Sequence, residues 1–485
     1  MHDMKKPMRL FAALVVLLGL APSAFAVRYG EIEVLIENEL AGEASHGYAE
    51  LLIRVVNHSS QSGHQVRLTY PKSGYSYGGD HLRAVTRTVS VEPGKSVRVS
   101  IAYPERLEVR GNGLGVNIDG SEEDNPVPVN LSTHGYRTSR YGSGAGSSQT
   151  LVLYSRAVDT RFPDWVNQAE MGKRLGGRAM AVAGSPGMVR SNNAPESWSP
   201  NWLGYTRFDG IVVTADELRA MPAEVRSALG QYVECGGSLF ILGRDPPLPG
   251  AWNLRRIAGS PMSVAAPGFG QCYATHLSDL SAVPHQALSP ILESWSKTQL
   301  PWQQERSANA ANRAFPVVDD IGVPVKGLLA LMFLFAILIG PVNLVLLTRK
   351  KRKLWMFWTV PLISFLTCVM VLGYMAITEG WQGRSRIEGV TVLDENSRRA
   401  STIGWTGFYT PLLPGGGLHF LPETEATFQN GEDNGYHSYR RGRSDGAALT
   451  IDWTRDQHFA SGWMSPRVQA LHAAHERDAA RTGDH

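Results

Sequence analysis

Three cysteines, a few histidines and one run of carboxylates are the first side chains to weigh for chemistry in this 485-residue chain. Cys272, in GFGQCYATH, has His276 four residues on, a thiol with a candidate base. Tyr273 and Ala274 follow it where a nucleophile's tight turn needs glycine, so a late strand opened by the Gly268 to Gly270 turn, carrying an inert thiol, is the stronger reading. Cys235, in YVECGGSLFILGRD, falls at a helix C-terminus, where the helix dipole disfavours a thiolate. With Cys368 inside an apolar run, Cys235 and Cys272 are the pair that could meet in an oxidising compartment; spacing leaves a disulfide open and favours two separate buried thiols. Asp119, Glu122, Glu123 and Asp124 are ligands of the type Ca²⁺ takes, but their spacing departs from the EF-hand and fits a solvated turn better. His472 and His475 could share a helix face but lack a third metal ligand, and GNGLG at 111–115 lacks the lysine and following helix of a phosphate loop. No catalytic residue, metal or cofactor is expected.

A position carries more than any of these residue types. SLFILG, residues 238–243, reads as a buried parallel strand, and the end of such a strand is where α/β folds place nucleophiles and ligands. Here that end holds Gly243, Arg244 and Asp245. FDGIVVT, a neighbouring strand, ends at Thr214 and is followed by Asp216 and Glu217. Thr214, Asp216, Glu217, Arg244 and Asp245 therefore form the candidate ligand-binding crevice.

The elements that must hold this crevice follow from periodicity. TLVLYS, RAMAVAG, FDGIVVT and SLFILG are short apolar strands. DWVNQAEMGKRLG reads as a helix, and so does ADELRAMPAEVRSALGQYVECGG, with Leu218, Met221, Val225, Leu229 and Val233 on one stripe. Strands alternating with helices predict a parallel sheet covered on both faces, over residues 150–300. Before it, residues 27–132 alternate polar and apolar residues in short runs with turns such as Pro93-Gly94-Lys95, the pattern of an immunoglobulin-like β-sandwich. Residues 133–149 are Gly/Ser-rich and read as a linker.

Residues 1–26 have the basic start, apolar run and Ala24-Phe25-Ala26 ending of a signal peptide, an uncleaved anchor being the alternative. After a linker at 301–326 come apolar runs at 327–347 and 354–377, each long enough to span a bilayer, joined by the basic turn 348–353 that belongs in the cytoplasm. Trp355, Trp358 and Trp381 fall at interfacial positions. Pro341 and Asn343 interrupt the first run, and Ser364 and Thr367 are the polar residues expected to answer Asn343 from the second. This transmembrane hairpin puts residues 27–326 and everything after about 379 on the outer, periplasmic side of a bacterial inner membrane. Residues 386–463 alternate again and predict a small outer β-domain, with 464–485 a polar, helical tail. Net charge is only +3, so nothing points to nucleic acid.

The run FDGIVVTADELRAMPAEVRSALGQYVECGGSLFILG resembles the strand, helix, Gly-Gly, strand core of class I glutamine amidotransferase-like domains. The order signal peptide, β-sandwich, such a domain, VPVKG, a span with GPVN, basic turn, second span and outer tail resembles uncharacterised bacterial membrane proteins carrying that domain. The resemblance implies a flavodoxin-like fold that is non-catalytic. The residues agree: a working amidotransferase needs Gly-x-Cys-x-Gly and His-x-Glu, whereas Pro246, Pro247 and Pro249 follow Asp245 and no His-x-Glu occurs in 27–326. The expected protein is a non-enzymatic, membrane-anchored envelope protein, a pseudoenzyme working through protein partners in the envelope or inner membrane, or through a sensed ligand. A periplasmic hydrolase or transferase with an unrecognised site, and an accessory subunit of a membrane transporter, are the alternatives.

Overall fold

The computed structural model describes residues 26–38, 46–72, 81–104, 113–129, 150–167, 187–191, 193–250, 252–278, 282–298, 316–317, 325–350, 355–379, 383–395, 399–410, 415–429, 448–463 and 470–479. The signal peptide up to residue 25, the 133–149 linker, the RAMAVAG strand, residues 351–353 of the basic turn and Trp381 lie outside the described residues. What is described is a mixed α/β molecule with four sheets, one of them built on parallel pairing, and a pair of apolar helices.

The N-terminal strands are β1 (Ala26–Tyr29), β2 (Ile32–Ile36), β3 (Tyr48–Asn57), β4 (His64–Tyr70), β5 (His81–Val91), β6 (Ser96–Pro104), β7 (Gly113–Ile118) and the two-residue β8 (Ser121–Glu122) and β9 (Val127–Pro128). β1, β2, β3 and β6 pair antiparallel in one sheet, and β4, β5, β7, β8 and β9 belong to another. Alternation drives this: Val66, Leu68 and Tyr70 point from β4 into a core shared with Leu51, Ile53 and Val55 of β3. Each such side chain contributes about 1.5–3 kcal/mol by leaving water. The first half of β3 departs from simple alternation. Tyr48 through Ile53 are all buried, because the α/β unit covers the face that alternation alone leaves wet.

The α/β unit contains β10 (Leu151–Tyr154), β11 (Gly187–Arg190), β12 (Gly210–Thr214), β13 (Ser238–Leu242), β14 (Arg255–Arg256), β15 (Met262–Ala265) and β16 (Gln271–Thr275). Their order across the sheet is β11, β10, β12, β13, β16, β15, β14; the first five are parallel and the last two antiparallel. Both faces are covered. Ile211, Val213, Leu239 and Ile241 face the main core, while Val212, Phe240 and Leu242 face a second cluster with Phe162, Ile291 and Trp295. The single helix expected after Thr214 is two: Ala215–Ala220 and Ala223–Glu234. Pro222 divides them, since its ring excludes a helical Met221, whose ψ is 141°.

The tail holds β17 (Arg384–Asp394), β18 (Arg399–Tyr409), β19 (Leu418–Phe420), β20 (Glu425–Gln429), β21 (Ala448–Asp452), β22 (Gln457–Ser461) and β23 (Ala470–Ala479). β17, β18, β23 and β20 make an antiparallel sheet, so the C-terminal segment read as a polar, helical end is a strand, drawn into extended form by neighbours on both sides. β21 pairs parallel with β5, Ile451 opposite Val85, and brings β22 and β19 into the N-terminal sheet. Trp453 seals this seam, its indole N–H donating to the Ala102 carbonyl at 2.7 Å. The division of the sequence into 27–132 and 386–463 is thus crossed by one continuous sheet.

Between α/β unit and tail lie the apolar helices. Leu329–Arg349 is long and apolar enough to cross a membrane, and a shorter apolar run, Phe357–Gly373, lies within the helix Met356–Glu379. A π-helical turn at Leu338–Val342 absorbs Pro341, which lacks an N–H to continue the ladder. Asn343 is buried and donates to Thr359 Oγ1 at 3.0 Å, which corrects the expected partners; Thr367 instead bonds the Ile363 carbonyl of its own helix. The outer surfaces are apolar, with Trp358 82% exposed.

Candidate functional site

The strand order of the parallel sheet reverses between β10 and β12, and α/β folds bind ligands beyond the strand ends at such a point. Glu217 fills it. Thr214 Oγ1 accepts from the Glu217 N–H at 3.2 Å and Glu217 Oε2 accepts from the Thr214 N–H at 3.1 Å, a capping box that starts the helix. The same carboxylate accepts the Ser155 hydroxyl from the end of β10 and the Ala157 N–H at 3.3 Å. Its oxygens are spent on closing the switch point.

The remaining crevice residues are held apart from it. Asp216 is exposed and pairs with Arg219 one turn on. Arg219 also donates to the main-chain carbonyls of Arg244 at 2.6 Å and Asp245 at 3.2 Å, tying the helix to the loop after β13. Arg219 therefore joins three of the five, Asp216, Arg244 and Asp245, while Thr214 and Glu217 bond each other; the helical i,i+3 spacing of Asp216 and Arg219 is the signal that points to it. Gly243 takes a φ of 112° and donates its N–H to the Thr275 carbonyl at 2.9 Å; Asp245 takes a φ of 49°, a left-handed conformation aspartate tolerates. The Arg244 and Asp245 side chains are exposed.

Neither thiol near the sheet is poised to react. Cys272 lies in the interior of β16 opposite Leu239, is 0% exposed, and burial pushes its thiol up to about 12. His276 is exposed beyond the end of the strand, and four residues of extended chain separate the two by about 13 Å. Cys235 caps the helix Ala223–Glu234 and is likewise buried; desolvation first, then the carboxylates of Glu425, Glu234 and Glu423, raise its thiol. Both cysteines are free, so no disulfide joins them. Asp119 sits in a turn at φ 51°, where its carboxylate accepts the Gln65 N–H at 2.8 Å and bonds His64 Nδ1 at 2.6 Å. Each holds the other charged: hydrogen bonding to His64 lowers Asp119, and hydrogen bonding to Asp119 raises His64. Among the described residues no group of three His, Cys, Asp or Glu side chains is arranged to hold a metal.

A second polar centre lies where N-terminal strands, α/β unit and tail meet, and single-sequence reading gave no sign of it. The Tyr48 hydroxyl donates to the Ala426 carbonyl at 2.8 Å and accepts from the Ala426 N–H at 3.2 Å and Gln457 Nε2 at 2.5 Å. Its own N–H bonds Thr206 Oγ1 at 2.9 Å. Gly47, at φ 74°, lets the chain run against the Thr206 peptide; a Cβ there would come within 2.3 Å of the Thr206 carbonyl carbon. His46 Nε2 lies 3.6 Å from Asp209 Oδ1, both buried, while Asp209 Oδ2 accepts the Leu151 N–H at 2.7 Å. Glu50 accepts the hydroxyls of Ser100 and Ser199, and desolvation raises its carboxyl. Glu425, beside Ala426, is pushed up to about 8 by burial. Tyr48 meets Ala426 and Gln457 from the tail and Thr206 from the α/β unit, and Glu50 meets Ser199, so this network ties distant segments of the chain together and specifies docking.

Compared with protein-family models, curated proteins and solved structures, the chain has no match.

Proposed function

We propose that this chain is a non-enzymatic protein of the bacterial inner membrane that acts outside the cytoplasm by contact with a partner or a ligand. The observation that carries the proposal is the closed carboxyl edge of the parallel sheet: Glu217 is consumed by Thr214, Ser155 and Ala157, and the position after β13 holds Arg244 and Asp245 with both thiols buried elsewhere. General acid–base or nucleophilic work needs a group free to meet substrate; Glu217 and the two thiols are not, and the exposed Arg244 and Asp245 are left for contact with a partner or ligand. In this reading the β10 to β16 unit is a flavodoxin-like domain related to the class I glutamine amidotransferases. Support comes from the order of its parallel strands, which in chain sequence is 2-1-3-4-5. The N-terminal strands form an immunoglobulin-like sandwich that the tail completes.

Anchoring by a helix hairpin is supported by the pairing of β21 with β5. Strands before and after the apolar helices share one sheet, which requires both ends of the hairpin to emerge on the same side. In spheroplasts, a cysteine replacing Thr454 should react with an impermeant maleimide and one replacing Lys350 should not; the reverse pattern refutes the topology. Full-length protein in nanodiscs should release no ammonia from glutamine and hydrolyse no p-nitrophenyl acetate above empty discs. Turnover that disappears in Cys272→Ala would overturn the non-enzymatic reading.

A further inference from the structure

A cleft of about 550 Å³ opens beside the helix Ala223–Glu234, apart from the residues at the end of the parallel sheet. Its floor is apolar, made by Leu229, Leu239 and Trp252. Room above the helix exists because residue 230 is glycine: a Cβ there would meet only the edge of Trp252, at 3.9 Å. The walls carry two guanidinium groups and one carboxylate. Arg226 donates to the carbonyls of Met221 at 2.8 Å and Arg219 at 3.2 Å and has no acidic partner among the described residues. Arg399, the first residue of β18, lies 3.9 Å from Glu234 and is 41% exposed, against 8% for the carboxylate. That distance is at the outer limit of an ion pair, and although Asp394 stands opposite Arg399 on β17, a guanidinium's N–H donors outnumber what these contacts use, which leaves some for another anion.

We infer that this cleft binds a small organic acid, an anion with an apolar body, whose carboxylate is taken by Arg399 and Arg226 while the body covers Leu229, Leu239 and Trp252. Charge selects the sign: of the charged side chains that line the cleft two are cations and one is a carboxylate, which burial biases toward its neutral form, Arg399 opposing that bias and Asp394, opposite Arg399 on the neighbouring strand, adding to it. Size selects the class, since a cleft of this volume suits a small molecule. Guanidinium and carboxylate make paired, charge-assisted hydrogen bonds, which set orientation as well as affinity. Because one wall belongs to the α/β unit and the other to the tail, the bound anion links the two. The inference deepens the ligand-recognition reading and rests on it.

The test is equilibrium dialysis of 1-naphthoate against full-length protein in phosphatidylcholine nanodiscs, with empty discs as the blank and 1-naphthylmethylamine as a cation of the same body. Wild type should show one saturable site for the acid and none for the amine. Arg399→Gln should weaken the acid about tenfold, roughly one charge-assisted contact. Gly230→Leu, which fills the cleft and raises helix propensity, should abolish binding while the melting temperature holds or rises. No saturable uptake by wild type, equal uptake of the amine, or unchanged affinity in both variants overturns the site. Any of these leaves the topology and turnover experiments untouched, so the two readings fail separately.

Discussion

The end of the parallel sheet and the junction around Tyr48 are both polar, yet they are built in opposite ways. At the sheet end Thr214, Asp216, Glu217 and Arg219 satisfy one another within a single turn of helix, and Ser155 and the Arg244 and Asp245 carbonyls complete the set. At the junction Tyr48 meets Ala426 and Gln457, and Glu50 meets Ser199. A locally satisfied cluster starts a helix and closes a crevice; a network between distant segments decides which parts of the chain dock. The difference teaches that the hydrogen bonds at the sheet end are met within the α/β unit, whereas those of the junction join the tail to the N-terminal strands.

If so, substitutions at the junction should be far more damaging than those at the sheet end. Trp453→Ala, which removes a buried indole and its bond to Ala102, should cost about 4 kcal/mol in chemical denaturation of the full chain. Glu425→Gln should act through pH. The buried carboxyl titrates at about 8 against 4.5 when unburied, so the wild type keeps its full stability below about pH 4.5 and loses it as pH rises through 8. The glutamine variant should lack that decline and exceed wild type at pH 9 by on the order of 3 kcal/mol; parallel melting curves from pH 5 to 9 would show the assignment wrong. Tyr48→Phe strands the Ala426 and Gln457 groups and should cost roughly 2 kcal/mol.

At the sheet end the effects should be smaller. Thr214→Ala removes one half of the capping box and should cost about 1 kcal/mol. Asp245→Gly, at a φ of 49°, should change stability by less than about 1 kcal/mol, because relief of the left-handed conformation offsets the entropy of the unfolded glycine. Were Asp245→Gly or Thr214→Ala to match Trp453→Ala in a melt, the contrast between the two regions would collapse.

The α/β unit was the most legible part because its signals are local. Val212 and Val213 on an apolar run, Thr214 with Glu217 three residues later, and Gly236-Gly237 before SLFILG each act within one element. Pro222 was equally readable, and the helix break it imposes shows what a one-helix reading overlooks. The crevice residues follow the carboxyl ends of β12 and β13, as their places in the sequence imply, while the tie from Arg219 to the Arg244 and Asp245 carbonyls depends on how the loop after β13 folds back. β23 departs from its local signal for a physical reason: an alanine-rich, polar segment has helical propensity, and pairing with β18 and β20 overrides it.

By itself the sequence determined the strand, helical region and strand from Gly210 to Leu242, the two apolar helices and the absence of a cysteine just after β13, since each depends on residues within one or two turns of chain. Only the tertiary structure decided that β21 adds to β5, that Asn343 reaches Thr359, that Tyr48 holds Ala426 and Gln457, and that Arg399 faces Glu234 across a cleft. Those contacts join segments far apart along the chain, and a single sequence carries no local signal for which distant partner a buried donor or an unpaired strand edge will choose.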